Sequence, residues 1–109
     1  MSVVGAKEFT AEVKYTWLAA LRSGDYKQGR MALREGECFC CLGVLADIVN
    51  DGKWKVLKTT KAFAPAHFPE IPLRGDYQEH LVGLNDRKRF TFEQIADVIE
   101  VMIPVVELS

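Results

Sequence analysis

No apolar run in the 109 residues approaches the roughly 20 that span a bilayer, so no membrane-crossing helix is expected. The first residues, Met1-Ser-Val-Val-Gly-Ala-Lys-Glu8, lack the basic-then-apolar order of a signal peptide, and the chain reads as cytoplasmic. An excess of either charge is missing too. Fourteen Lys and Arg against fifteen Asp and Glu leave a formal charge of -1, which excludes a globally basic nucleic-acid binder and leaves only local patches open. Cysteine is scarce: Cys38, Cys40 and Cys41 are odd in number and crowded together, so no internal disulfide framework is expected and reduced, buried thiols are. Walker-type and dinucleotide fingerprints are absent, as are internal repeats, low-complexity tracts and linkers. Hence no motif identifies a reaction, and no cofactor is implied.

What is present suits one small globular domain, with 49% hydrophobic and 27% charged residues and a length able to bury about 65% of the unfolded surface. The densest apolar stretch, Cys38 to Val49, carries one charge, Asp47, and predicts a buried helix from about Cys40 to Asn50. Lys7 to Ser23 is a second helix. Phe9, Val13, Trp17, Ala20 and Leu21 form its apolar face, Lys7, Glu8, Glu12 and Lys14 lie opposite, and Ser23-Gly24 ends it. Asp25 to Glu37 reads as a loop followed by a short strand near Met31, and Lys53 to Lys58, with Trp54 and Val56 alternating against lysines, as a half-exposed strand. Pro65, Pro69 and Pro72 make Ala62 to Gly75 an extended loop. Asp76 to Leu84 predicts a short helix with Tyr77, His80, Leu81 and Leu84 inward, and Asn85 to Arg89 an exposed turn. Thr91 and Gln94 form a capping box for a last helix whose stripe is Phe92, Ile95, Ala96, Ile99, Met102 and Ile103, stopped or kinked at Pro104. The expected fold is α+β and helix-rich, with the cysteine helix buried between the first and last helices beside a small antiparallel sheet.

Four segments, Trp17-Leu-Ala-Ala-Leu-Arg-Ser-Gly-Asp-Tyr-Lys-Gln-Gly-Arg30, Cys40-Cys-Leu-Gly-Val-Leu45, Leu84-Asn-Asp86 and Phe92-Glu-Gln-Ile-Ala-Asp-Val-Ile-Glu100, together resemble a family of small, mostly uncharacterised bacteriophage and prophage proteins. One departure is Met31, where that family often has another glycine. The resemblance implies a phage source and an intracellular setting. It names no reaction, and small phage proteins of this kind often oppose host defence by binding a host protein or sequestering a nucleotide signal.

Several constellations bear on binding or chemistry. Arg22, Lys27, Arg30 and Arg34 lie near Tyr26, Gln28 and Gly29: arginine forks match phosphate, tyrosine stacks on a base, and glycine lets backbone N–H groups approach an anion. With Gln28 or Asn85 on a base edge or ribose, these residues suit a phosphorylated nucleotide, the pocket closed by a second subunit or by the loop from Phe63 to Leu73. The bland alternative pairs the cations with Asp25, Glu35 and Glu37 on a solvated surface. Capture of a host defence protein is the second reading, through the same aromatic loop or the acidic stripe Glu93, Asp97 and Glu100. A Cys40 or Cys41 nucleophile with His80 as base and Asn85 as orienter is a third, outweighed by structural thiols. A metal site is disfavoured, because the cysteines are too close together for a zinc knuckle and His67 and His80 would have to complete it. Asn85 to Arg89 is either a polar turn or a polyanion contact.

Overall fold

Helix α1, Ala11–Ser23, opens the computed structural model, which describes residues 8–30, 34–49 and 72–105. Thr10 is its N-cap, its hydroxyl accepting from the Val13 N–H, and Gly24 closes it at φ 83°, a left-handed conformation that glycine adopts without a Cβ penalty. The expected apolar face is the buried one. Trp17 is fully enclosed, edge-on to Phe9 at 5.9 Å, and its indole N–H donates to the Cys41 carbonyl across 2.9 Å.

Three two-residue strands follow: β1 (Lys27–Gln28), β2 (Arg34–Glu35) and β3 (Cys38–Phe39). β3 lies in the middle, parallel to β1 and antiparallel to β2. The sheet is therefore mixed, and the antiparallel sheet expected from the segments near Met31 and Trp54 falls on residues outside those described. A parallel pair is not closed by a hairpin, and β2 lies between β1 and β3 in the sequence. Gly29 permits the close approach of β1 to β3, since a Cβ there would stand 2.8 Å from the Cβ of Cys38. The strand expected at Lys53 to Lys58, the position of Met31, and the loop from Phe63 to Leu73 apart from its last two residues lie outside the described residues.

β3 runs directly into α2, Cys41–Val49, the most thoroughly enclosed helix, with Cys41, Leu42, Val44 and Leu45 all inaccessible. α3 (Gly75–Val82) continues without interruption into a π-helical turn (Gly83–Arg87), and α4 (Phe92–Met102) ends the described fold. The capping box of α4 is complete, with Thr91 accepting from the Gln94 N–H while the Gln94 side chain accepts from the Thr91 N–H. The architecture is α+β, and among the described residues four α-helices surround one core with a small sheet at its margin.

The packing order corrects one expectation. α2 does not sit between α1 and α4; it packs between α1 and α3, while α1 also packs on α4. α1 is the shared element because both of its flanks are used. Lys14, assigned to the solvent side by periodicity, is 6% exposed. Its ammonium turns inward and donates to the Glu100 and Ile103 carbonyls at 3.1 and 2.7 Å, capping the C-terminal end of α4, where carbonyls lack helical partners and the dipole is negative.

Candidate functional site

Six of the seven residues expected to bind a ligand fall into two groups with different chemistry, and Arg30 stands apart from both. Tyr26, Lys27 and Arg34 line a cleft of about 220 Å³ over the sheet, together with Asp25, Glu37 and Phe39. Phe39 is its floor: the Tyr26 ring meets it edge-on at 4.9 Å, and the Arg34 guanidinium lies 5.0 Å from its centroid. A cation over a ring face is held by the ring's quadrupole, and the Gly36 carbonyl fixes Arg34 further by accepting from Nε at 2.8 Å. The Tyr26 hydroxyl donates to Asp47 of α2 at 2.6 Å. Burial first, then the Asp47 carboxylate, raises the tyrosine pKa, so the phenol stays protonated.

Arg22, Gln28 and Asn85 have internal partners. Arg22 donates from one nitrogen to Asp97 at 2.8 Å and Glu100 at 2.6 Å, joining α1 to α4. That bridge also engages two of the three carboxylates in the Glu93, Asp97 and Glu100 stripe. Arg22 and Gln28 border a second, open groove of about 360 Å³ between the end of α1 and the start of α4, with the Gln28 amide and one Arg22 nitrogen already engaged by the protein.

Asn85 is the largest departure from the sequence reading, which placed it in an exposed turn. It is fully buried. Its Oδ1 accepts from Gln28 Nε2 at 2.9 Å, and its Nδ2 donates to the Gly29 carbonyl at 2.9 Å and to Asp86 at 2.8 Å. Gln28 Nε2 also donates to the Phe90 carbonyl, and its Oε1 accepts from the Phe92 N–H. Two amides thus lock β1, the π-helical turn and the start of α4 together. The π turn carries one residue more per turn than an α-helix, which brings Asn85 to the inside where periodicity from α3 runs out. Arg30 is half-buried, and its Nε has no hydrogen-bond partner.

The cysteine trio is not assembled. Cys40 caps α2, its sulfur accepting from the Gly43 N–H at 3.4 Å and its carbonyl from the Val44 N–H, while the Cys41 thiol faces the Leu81 carbonyl at 3.8 Å. Burial pushes the Cys40 thiol up to about 12 and the Cys41 thiol well above its ordinary value, outweighing the helix end that would favour a thiolate. His80, expected to face inward, is exposed on α3. Among the described residues no group of three or more His, Cys, Asp or Glu is placed to hold a metal, and His67 lies outside them. No helix among them is long and apolar enough to cross a membrane.

These shifts have a sign that can be tested. The native state retains thiol protons that the unfolded chain releases near pH 9.0, so this contribution is complete below pH 9 and is lost as pH rises toward 12. The urea midpoint is expected to be flat from pH 7 to 8.5 and then fall, by up to about 1.4 kcal/mol per pH unit for each retained proton. In native buffer at pH 8 an aromatic disulfide reagent should titrate the half-buried Cys38 first and the other two only at the unfolding rate. Prompt reaction of all three would show the thiols to be accessible.

A family model described as a domain of unknown function (DUF8296) matches residues 9–71, more than half of the chain. No curated protein and no solved structure matches.

Proposed function

We propose, from the premise that the chain belongs to the DUF8296 family, that it binds a phosphorylated nucleotide rather than transforming one. The observation that carries this reading is the cleft in which Lys27 and Arg34, on the two outer strands, flank an aromatic floor of Phe39 and Tyr26. Arginine and lysine supply charged donors for a phosphoryl group, and the rings supply the apolar surface for a base. Asp25 and Glu37 in the same cleft balance the two cations. A ligand with one negative charge per phosphate, as in a cyclic nucleotide, suits that balance better than a triphosphate does. At about 220 Å³ the cleft lies below the range of roughly 300–1,000 Å³ usual for small-molecule pockets, so it seats part of a nucleotide and a second subunit covers the rest. The resemblance to phage and prophage proteins supports the biological role: counter-defence by sequestering a nucleotide signal of the host.

Calorimetry against cyclic mononucleotides, cyclic dinucleotides and linear mono- and triphosphates tests this reading. The cyclic forms are expected to bind tightest and to be recovered unchanged. Lys27→Ala and Arg34→Ala should each weaken binding by tenfold or more, about 1.4 kcal/mol, whereas Arg22→Ala, whose charge is engaged by α4, should not. Binding of none of them, alongside a stable complex with a host protein, would transfer the assignment to direct blockade of that protein. Turnover of the nucleotide would make the protein an enzyme.

A further inference from the structure

We propose that Arg87, Lys88 and Arg89, with Arg30 beside them, form a second anion surface that takes the phosphate backbone of a nucleic acid. This does not rest on the nucleotide cleft. The three consecutive cations are exposed, and no ion pair holds any of them among the described residues. They sit on fixed backbone. The Lys88 N–H donates to the Gly83 carbonyl at 3.0 Å, the Phe90 N–H to the Leu84 carbonyl at 2.9 Å, and Gln28 holds the Phe90 carbonyl and Phe92 N–H from the side.

Two features exceed what a polar turn requires. Cations after a helix complement its negative end, which accounts for Arg87 and Lys88. It does not account for Arg89, whose φ of 57° makes it the one non-glycine residue in the left-handed region among the described residues. Glycine or asparagine would relieve that position, so the arginine is held there against a backbone preference. The second feature is Arg30. It leaves β1 directly after Gly29, whose carbonyl accepts from Asn85, so its backbone adjoins the π turn. Its Nε is buried without a hydrogen-bond partner, while the residue as a whole is half-buried and brings its charge to the surface beside the π turn.

The nearby carboxylates do not neutralise the group. Asp86 accepts from the Asn85 amide, and Glu93 lies in the first turn of α4, leaving four cations to two acids. A nucleic acid fits better than a lipid surface, because membrane-surface segments need apolar side chains beside the charges. The large exposed hydrophobic residues, Tyr15 and Val101, lie on α1 and at the far end of α4, the latter about 15 Å along the helix from the turn.

Fluorescence anisotropy with a labelled 20-nucleotide single strand and the matching duplex, across 25 to 200 mM salt, tests the proposal. Four phosphate contacts give a slope of log K against log salt of about -3. The triple variant Arg87→Ala, Lys88→Ala, Arg89→Gly should bring the slope to about -1 and weaken binding at 50 mM salt by about 30-fold or more. Arg74→Ala, which removes one cation at the opposite end of the α3 and π-turn rod, should leave both unchanged. Arg89→Gly alone should melt at a higher temperature than the parent while binding less tightly, a pairing that loss of folding cannot produce. An unaltered slope in the triple variant, no binding of either oligonucleotide, or binding only to anionic lipid vesicles would overturn the assignment.

Discussion

Asn85→Asp is expected to destabilise the fold more than Asn85→Ala does, although it changes the side-chain volume less. Alanine removes the contacts to Gln28, Gly29 and Asp86, strands the Gly29 carbonyl, and leaves a small void, together about 3 kcal/mol. Aspartate keeps the acceptor for Gln28 but replaces both donors with an oxygen facing the Gly29 carbonyl and the Asp86 carboxylate. A buried charge with one donor, set against a carbonyl and a second carboxylate, is the more severe fault, at about 4 kcal/mol or more. Against a total of about 5–15 kcal/mol, either change moves the urea midpoint far enough to measure readily. If Asn85→Leu proved as stable as the parent, the amide network would be a filler of space and its hydrogen bonds incidental.

The second large effect concerns Lys14. Lys14→Met keeps the length of the side chain and removes its charge and donors, leaving the Glu100 and Ile103 carbonyls of α4 unpaired, at about 2 kcal/mol. Lys14→Ala also opens a cavity beneath α4 and is expected to cost about 3–4 kcal/mol. Lys14→Glu sets a carboxylate against the negative end of the helix and should prevent folding. Amide exchange resolves the cause: in the methionine variant protection should fall first in residues 99–103. Uniform loss of protection along the chain would show instead that Lys14 acts through bulk packing.

Both effects fall on residues that the sequence reading assigned to the surface, for a common physical reason. Periodicity reports which face of an element is apolar, and it correctly placed α1, α2, α3 and α4, the Thr91 to Gln94 capping box and the stop at Gly24. It carries no information about a polar side chain whose partners are distant in sequence. Lys14 lies 86 and 89 residues from its acceptors, and Asn85 lies 57 and 56 from Gln28 and Gly29. His80 fails in the opposite direction, since helical spacing from Leu81 and Leu84 put it inside and the change of pitch beyond Val82 alters which residues share a face. The mixed sheet was equally hidden, because strands of two residues are too short to show an alternation.

Of the candidate site, the clustering of Tyr26, Lys27 and Arg34 was legible, since they sit on one short span of chain. The roles of Arg22 and Gln28 were not. Both carry groups suited to a ligand, and which partner they take depends on where α4 lies. The strain at Arg89 was also invisible, because a positive φ is imposed by the hydrogen bonds around the turn.

The Lys14 clasp also bears on the order in which the domain assembles. The first helix leaves the ribosome early, yet the carbonyls that take its ammonium are among the last described residues to be made. Until they arrive the lysine remains hydrated, and the flank of α1 that α4 will cover stays open. α1 can settle against α2 beforehand, the Trp17 indole on the Cys41 carbonyl, while its other flank waits for α4. Final closure then brings together points nearly ninety residues apart, and loop closure of that length belongs to a slow step that follows local helix formation. Synthesis therefore holds the protein longest in a state whose open flank of α1 carries Lys14 and Arg22, the two side chains that α4 will later engage.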